Sequence, residues 1–184
     1  MSGASWFVGL PVAGAWMEGR VPAPPEGIRR FHPEDLHLTV AFLGSCGEAR
    51  AMRAWDALVW PLGAIDVSLG AVVAMGSPRR YSALSALLVE GREEVEDAMG
   101  RARGAVCAAA EVPADERSPR AHVTLARPSR RANDAIRGDG LRWAAALDLT
   151  DVRVRLDGMA LYTWAEPRIP RLFRVVAHRA LAPP

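Results

Sequence analysis

The chain has 184 residues, half of them apolar, a formal net charge of +2, and no lysine among its 23 basic residues. That length suits one domain with a sizeable core, and no apolar run reaches the ~18–20 residues of a membrane span. The two cysteines, Cys46 and Cys107, make neither a disulfide framework nor a metal-ligand spacing, and the absence of lysine excludes a Walker-type phosphate loop.

Residues 5–10 read as a first strand closed by Pro11; without a basic flank before it, the stretch is read as a strand and not a leader. Residues 12–19 suit a short helix, and the prolines and glycine of 21–27 a loop. Residues 36–43 alternate, with apolar side chains at 36, 38, 40 and 42, and so predict a half-buried strand ended by Gly44. A helix follows over 48–59, with Ala51, Trp55, Leu58 and Val59 on one side. Strands are expected at 65–74 and 82–89 around the turn Gly76-Ser77-Pro78. Residues 93–110 form the longest helix candidate, acidic early and arginine-bearing later, as the helix dipole prefers. A loop over 112–120 leads into a strand at 121–126, apolar at 121, 123 and 125. A short helix at 129–137 and closing strands at 149–162 and 172–181 complete the chain. Strands in hairpin-like groups with helices between them favour α+β over a doubly wound sheet.

One pattern recurs. His37-Leu38-Thr39-Val40 returns as His122-Val123-Thr124-Leu125. On a strand, residues i and i+2 share a face roughly 6.5–7 Å apart, so each copy can aim an imidazole and a hydroxyl at one point while Leu38, Val40, Val123 and Leu125 enter a core. A lone histidine beside an apolar strand is usually a structural hydrogen-bonder; His32, before Pro33 in a loop, is read as surface, and His178 as a surface or edge residue of the last strand, whereas a matched pair with matched threonines points to chemistry. One neutral imidazole can take a proton from an attacking water or hydroxyl, and one protonated imidazole can give a proton to the leaving oxygen. Threonine hydroxyls and an arginine can hold the phosphate charge. A strained cyclic phosphate suits such a site, and no metal or other cofactor is called for. Arg117, Arg120, Arg127, Arg130 and Arg131 crowd the second copy, and Arg29-Arg30 and Arg79-Arg80 form further clusters. These read equally as solvated surface or as a funnel for a polyanion. Strict alternation from His122 puts Arg127 on the wrong face, unless the strand bends, bulges or ends before it. Phe7, Phe42 or an exposed tryptophan could stack on a base.

At these residues the chain resembles the 2H phosphoesterase superfamily and, more narrowly, the bacterial RNA 2′,3′-cyclic phosphodiesterases, also called 2′-5′ RNA ligases. Phe7-Val8-Gly9-Leu10-Pro11, the block Arg30–Gly44, His122–Arg127, Leu161-Tyr162 and Phe173-Arg174-Val175 carry the likeness. It implies an α+β, bilobal fold over residues 1–184: two pseudo-symmetric antiparallel sheets with outer helices, and a central basic cleft with one HxTx motif per lobe. It implies His37 and His122 as catalytic residues, with Thr39, Thr124 and Arg127 holding phosphate; the expected roles are His37 as acid and His122 as base. The implied reaction is metal-independent hydrolysis of RNA 2′,3′-cyclic phosphate ends to 2′-phosphates, with a reversible 2′-5′ ligation. The expected partners are such RNA ends or cyclic nucleotides, with no membrane and no obligate protein partner, in a cytoplasmic monomer. A phosphodiesterase for small cyclic nucleotides or 2′-5′ linkages and a non-catalytic RNA-end binding module are the alternatives. Two departures touch base contacts and substrate preference. Arg117-Ser118-Pro119-Arg120-Ala121-His122 stands where the family often has RPFxPH, and Arg80-Tyr81-Ser82-Ala83-Leu84 lacks the family's tryptophan.

Overall fold

A computed structural model describes residues 3–183. Nine strands and three helices follow one another as β1 (Trp6–Pro11), β2 (Ile28–Arg30), β3 (His37–Gly44), α1 (Glu48–Asp56), β4 (Ile65–Met75), β5 (Ala83–Leu88), α2 (Arg92–Ala109), β6 (His122–Pro128), α3 (Asp134–Ala145), β7 (Arg153–Leu156), β8 (Gly158–Trp164) and β9 (Phe173–Ala180). The α+β class holds. All strand pairs are antiparallel, in the order β7-β4-β5-β6-β3-β1-β8-β9, with β2 added on β6. The two expected sheets are thus continuous. Each half, counted outward from the middle, is a motif strand followed by three others: β6-β5-β4-β7 and β3-β1-β8-β9. A single bridge, Leu38 with Val123, joins them.

The apolar alternation of the strands explains the core. Val8, Leu10, Leu38, Val40, Val123 and Leu125 are all buried against the helices. The α1 and α2 helices back β1 and β3, while α3 packs on β2, β4, β5 and β6. α2 turns Val95, Met99, Ala102 and Val106 inward at helical spacing. The opposite face of the sheet is left to the motif histidines and threonines.

Several expectations shift. Residues 12–19 yield only a 3₁₀ turn at Ala15–Met17. The helix expected at 129–137 starts later and runs longer, because Asn133 caps it by accepting from the Ile136 amide at 3.0 Å. The strand expected at 149–162 is two strands interrupted at Asp157. β2 was not foreseen; three residues carry too little alternation to register. Trp6 and Trp55 are core, while Trp16, Trp60, Trp143 and Trp164 are half-buried against it. Among the described residues no helix is long and apolar enough to cross a membrane.

Candidate active site

The single bridge between the halves sets the site. Leu38 faces Val123 in an antiparallel ladder. One step along each strand therefore brings His37 opposite Thr124 and Thr39 opposite His122, all four on the face away from the buried Leu38 and Val123. The two motif copies thus meet at the middle of the sheet, with the histidines on a diagonal. The charge of His122 is felt at His37, as that proximity requires.

Both imidazoles are held alike. His37 Nδ1 lies 2.7 Å from the Asp35 carbonyl oxygen, and His122 Nδ1 lies 2.6 Å from that of Arg120. A carbonyl only accepts, so each Nδ1 carries the proton and each Nε2 is left for chemistry. The repeat thus extends two residues upstream of each histidine, in the backbone.

Their surroundings differ. His37 is 7% exposed and sits in an aromatic wall: its ring centroid is 4.6 Å from Phe7, 5.3 Å from Tyr162 and 5.3 Å from Phe173. Burial in that wall pulls its pKa down to about 4, opposed by the Asp35 carbonyl and helped by the Arg127 charge. His122 is half-buried. Burial lowers its pKa too, against the hydrogen bond to Arg120 and with the charges of Arg120 and Arg127. Burial thus holds both imidazoles toward the neutral form in the free protein. Phe7 is wall and not a base platform, being only 4% exposed.

Asp35 anchors this wall twice. Its carbonyl fixes His37, and its fully buried carboxylate accepts from Arg171 Nε at 2.8 Å and the Leu172 amide at 2.7 Å. Arg171 also pairs with Glu34. The carboxylate thereby holds the start of β9, and Phe173 with it, against the histidine. His32 is not free surface, because its Nδ1 accepts the Glu34 amide at 3.2 Å and caps the 3₁₀ turn Pro33–Asp35.

Thr124 is buried, its hydroxyl 3.1 Å from that of Ser85 on the neighbouring β5. If Thr124 donates outward, Ser85 must be donating to it. The Thr39 side chain is half-exposed.

Arg127 reaches the site because β6 bulges. Ser85 pairs with Thr124 but Leu84 with Ala126, so β6 carries an extra residue, and Leu125 and Ala126 are both buried. Alternation flips, and Arg127 returns to the histidine face, its guanidinium 5.4 Å above the Phe31 ring. Crowding there and the charge of Arg168 lower its pKa. β3 repeats the device. Gly9 pairs with Thr39 but Val8 with Ala41, Val40 and Ala41 are both buried, and Phe42 flips outward, 63% exposed. Phe42 is thus the counterpart of Arg127, five residues after its histidine. Its exposure corrects the plain alternation at 36, 38, 40 and 42.

Among the described residues, no three histidine, cysteine or carboxylate side chains converge as metal ligands. The arrangement can bind one anion between two neutral or singly protonated imidazoles, flanked by hydroxyls and an arginine.

No protein-family model matches the chain, and no curated protein matches it. Solved structures do, and the fold is shared with LigT, a phosphoesterase and Usb1. The chain is similar over its whole length to apo LigT of E. coli, with TM-score 0.67, 16% identity and 100% of both chains covered. The same LigT complexed with 3′-AMP matches with TM-score 0.67 at 16% identity, over 98% of this chain and 99% of that one. A phosphoesterase gives TM-score 0.69 at 16% identity over 98% and 99% of the two chains, and Usb1 of Kluyveromyces marxianus 0.56 at 13% identity over 99% of each.

Proposed function

We propose that this chain is a 2H phosphoesterase that hydrolyses RNA 2′,3′-cyclic phosphate ends to 2′-phosphates, and can also run a reversible 2′-5′ ligation in which a 5′-hydroxyl takes the place of the attacking water. The observation that carries the reading is the Leu38–Val123 register, which brings two HxT faces together with both Nε2 atoms free. The fold shared with a phosphoesterase and with a protein that binds 3′-AMP supports it.

In this mechanism one Nε2 takes a proton from water. The water oxygen bonds to phosphorus, the P–O3′ bond breaks, and the second imidazolium protonates the leaving 3′ oxygen. The products are a 2′-phosphate and a 3′-hydroxyl. Thr39, Thr124 and Arg127 donate to the non-bridging oxygens, where charge builds. Ser85 orients Thr124, and Phe42 offers a flat ring on which a base can stack. Each proton transfer is worth roughly 10²–10⁴-fold.

The test is incubation with adenosine 2′,3′-cyclic phosphate in EDTA, resolving 2′-AMP from 3′-AMP. Turnover to 2′-AMP is expected, and His37→Ala and His122→Ala should each reduce it by about 10²-fold or more with the fold intact by circular dichroism. A folded variant with near-full activity removes that histidine from the mechanism. Tight binding of cyclic ends without turnover selects the binding module. Turnover of free cyclic nucleotides alone, with RNA ends untouched, selects the small-substrate enzyme.

A further inference from the structure

Beside the reacting centre lies a second cluster of charge. Arg29 is paired with Arg127 across β2 and β6, and residues directly opposite share a face. Arg29 Nη2 donates to the backbone carbonyl of Arg168 at 3.1 Å. Arg168 in turn lays its guanidinium 4.4 Å above the Trp164 ring. Trp164 follows Tyr162 by two residues on β8 and is paired with Phe173, so it continues the face that walls His37. The arginine–tryptophan unit therefore borders the aromatic wall.

Among the described residues none of Arg29, Arg127 and Arg168 meets a carboxylate, whereas the neighbouring Arg171 meets two. Like charges directly opposite one another are destabilising, and the Arg168 charge is felt at Arg127. The single phosphate between the histidines takes Arg127, which leaves two guanidiniums with no anion. Both side chains are exposed, and one is held over an indole, where its fork of N–H donors can serve a phosphate. Ile169, 77% exposed on the same loop, adds an apolar surface beside them.

We infer that Arg29 and Arg168, braced by Trp164, form a second phosphate subsite that holds the backbone of a single-stranded RNA leading into the reacting end. This rests on the reading above: if the anion between the histidines is a ribose cyclic phosphate, the next anion along the same molecule is the phosphodiester of the preceding nucleotide. The subsite then favours an oligoribonucleotide over a free nucleotide.

The experiment is fluorescence anisotropy with a short labelled single-stranded oligoribonucleotide ending in a 3′-phosphate, a probe that needs no turnover, titrated at several salt concentrations. Arg29→Gln and Arg168→Gln should each weaken binding about three- to tenfold and reduce the salt slope by about 0.7. Arg155→Gln removes the same charge from an ion pair with Asp66 and should bind as the wild type does. Melting curves check that all three variants are folded. Arg29 and Arg168 variants that bind like Arg155→Gln overturn the subsite, even if adenosine 2′,3′-cyclic phosphate is hydrolysed. A polyglutamate peptide that binds with equal, arginine-dependent affinity overturns it as well. Arginine-dependent RNA binding without any cyclic phosphodiesterase activity leaves the subsite standing and removes the catalytic reading instead.

Discussion

Asp35 shows how much of an acid–base site is held by a residue that takes no part in the chemistry. Its carbonyl sets the His37 tautomer, and its carboxylate ties Arg171, Leu172 and Phe173 to the turn that precedes the motif. Removing one partner of a buried pair strands the other. Asp35→Ala should therefore lower unfolding free energy by about 3 kcal/mol, the low end for buried pairs, because Arg171 stays partly solvated and keeps Glu34. Urea denaturation measures this, and a change of less than about 1 kcal/mol, the size of an exposed pair, would mean that the clamp is not structural. The pairs His37/Thr39 and His122/Thr124 are legible in the sequence because they are local. Asp35, Ser85, Tyr162 and Phe173 are not. Their role depends on contacts between distant parts of the chain, such as β9 against the turn at 33–35, which no spacing announces.

At the scale of the strand, the bulges decide which side chains reach the site. Plain alternation sends Phe42 inward and Arg127 to the wrong face; an extra residue in each motif strand reverses both. The signal is present in the sequence, since Val40-Ala41 and Leu125-Ala126 are adjacent apolar pairs that interrupt the period. It is ambiguous there, because an apolar pair also ends a strand. The bulge in β3 leans on Gly9. A Cβ at that position would lie 2.7 Å from the Leu38 carbonyl oxygen, inside the backbone of the motif strand itself. Gly9→Ala should cost about 1–3 kcal/mol, as overpacking does, and lower kcat by displacing Thr39 and His37. Denaturation midpoints and turnover of the cyclic nucleotide should fall together. A stable variant of normal activity would show that the close approach does not govern the site. The fold class and nearly all strands followed from periodicity; β2, too short for a period, did not.

At the scale of the molecule, placing two imidazoles in a walled face makes both stability and rate depend on acid. His37 has a folded pKa of about 4 and an unfolded value of about 6.5. Between those values the unfolded chain binds a proton that the folded one refuses, so stability is complete above about pH 6.5 and is lost as pH falls through the folded value, by at most about 3 kcal/mol. Melting temperature should drop over that window, and less steeply in His37→Gln. Rate follows the same asymmetry. Catalysis needs one imidazole neutral and one charged, and in the free protein both are shifted down. The productive form is then most populated between the two lowered values, and kcat/KM should peak below about pH 6.5. A bound phosphate anion favours both imidazoliums, so kcat should peak at higher pH than kcat/KM. The two single-histidine variants assign the roles. The variant that loses the acidic limb has lost the base, and the one that loses the alkaline limb has lost the acid. With His37 the more deeply buried of the two, its variant should lose the acidic limb. A kcat/KM maximum above pH 7 would mean that neither imidazole is as desolvated as the aromatic wall and the bridged strands make them.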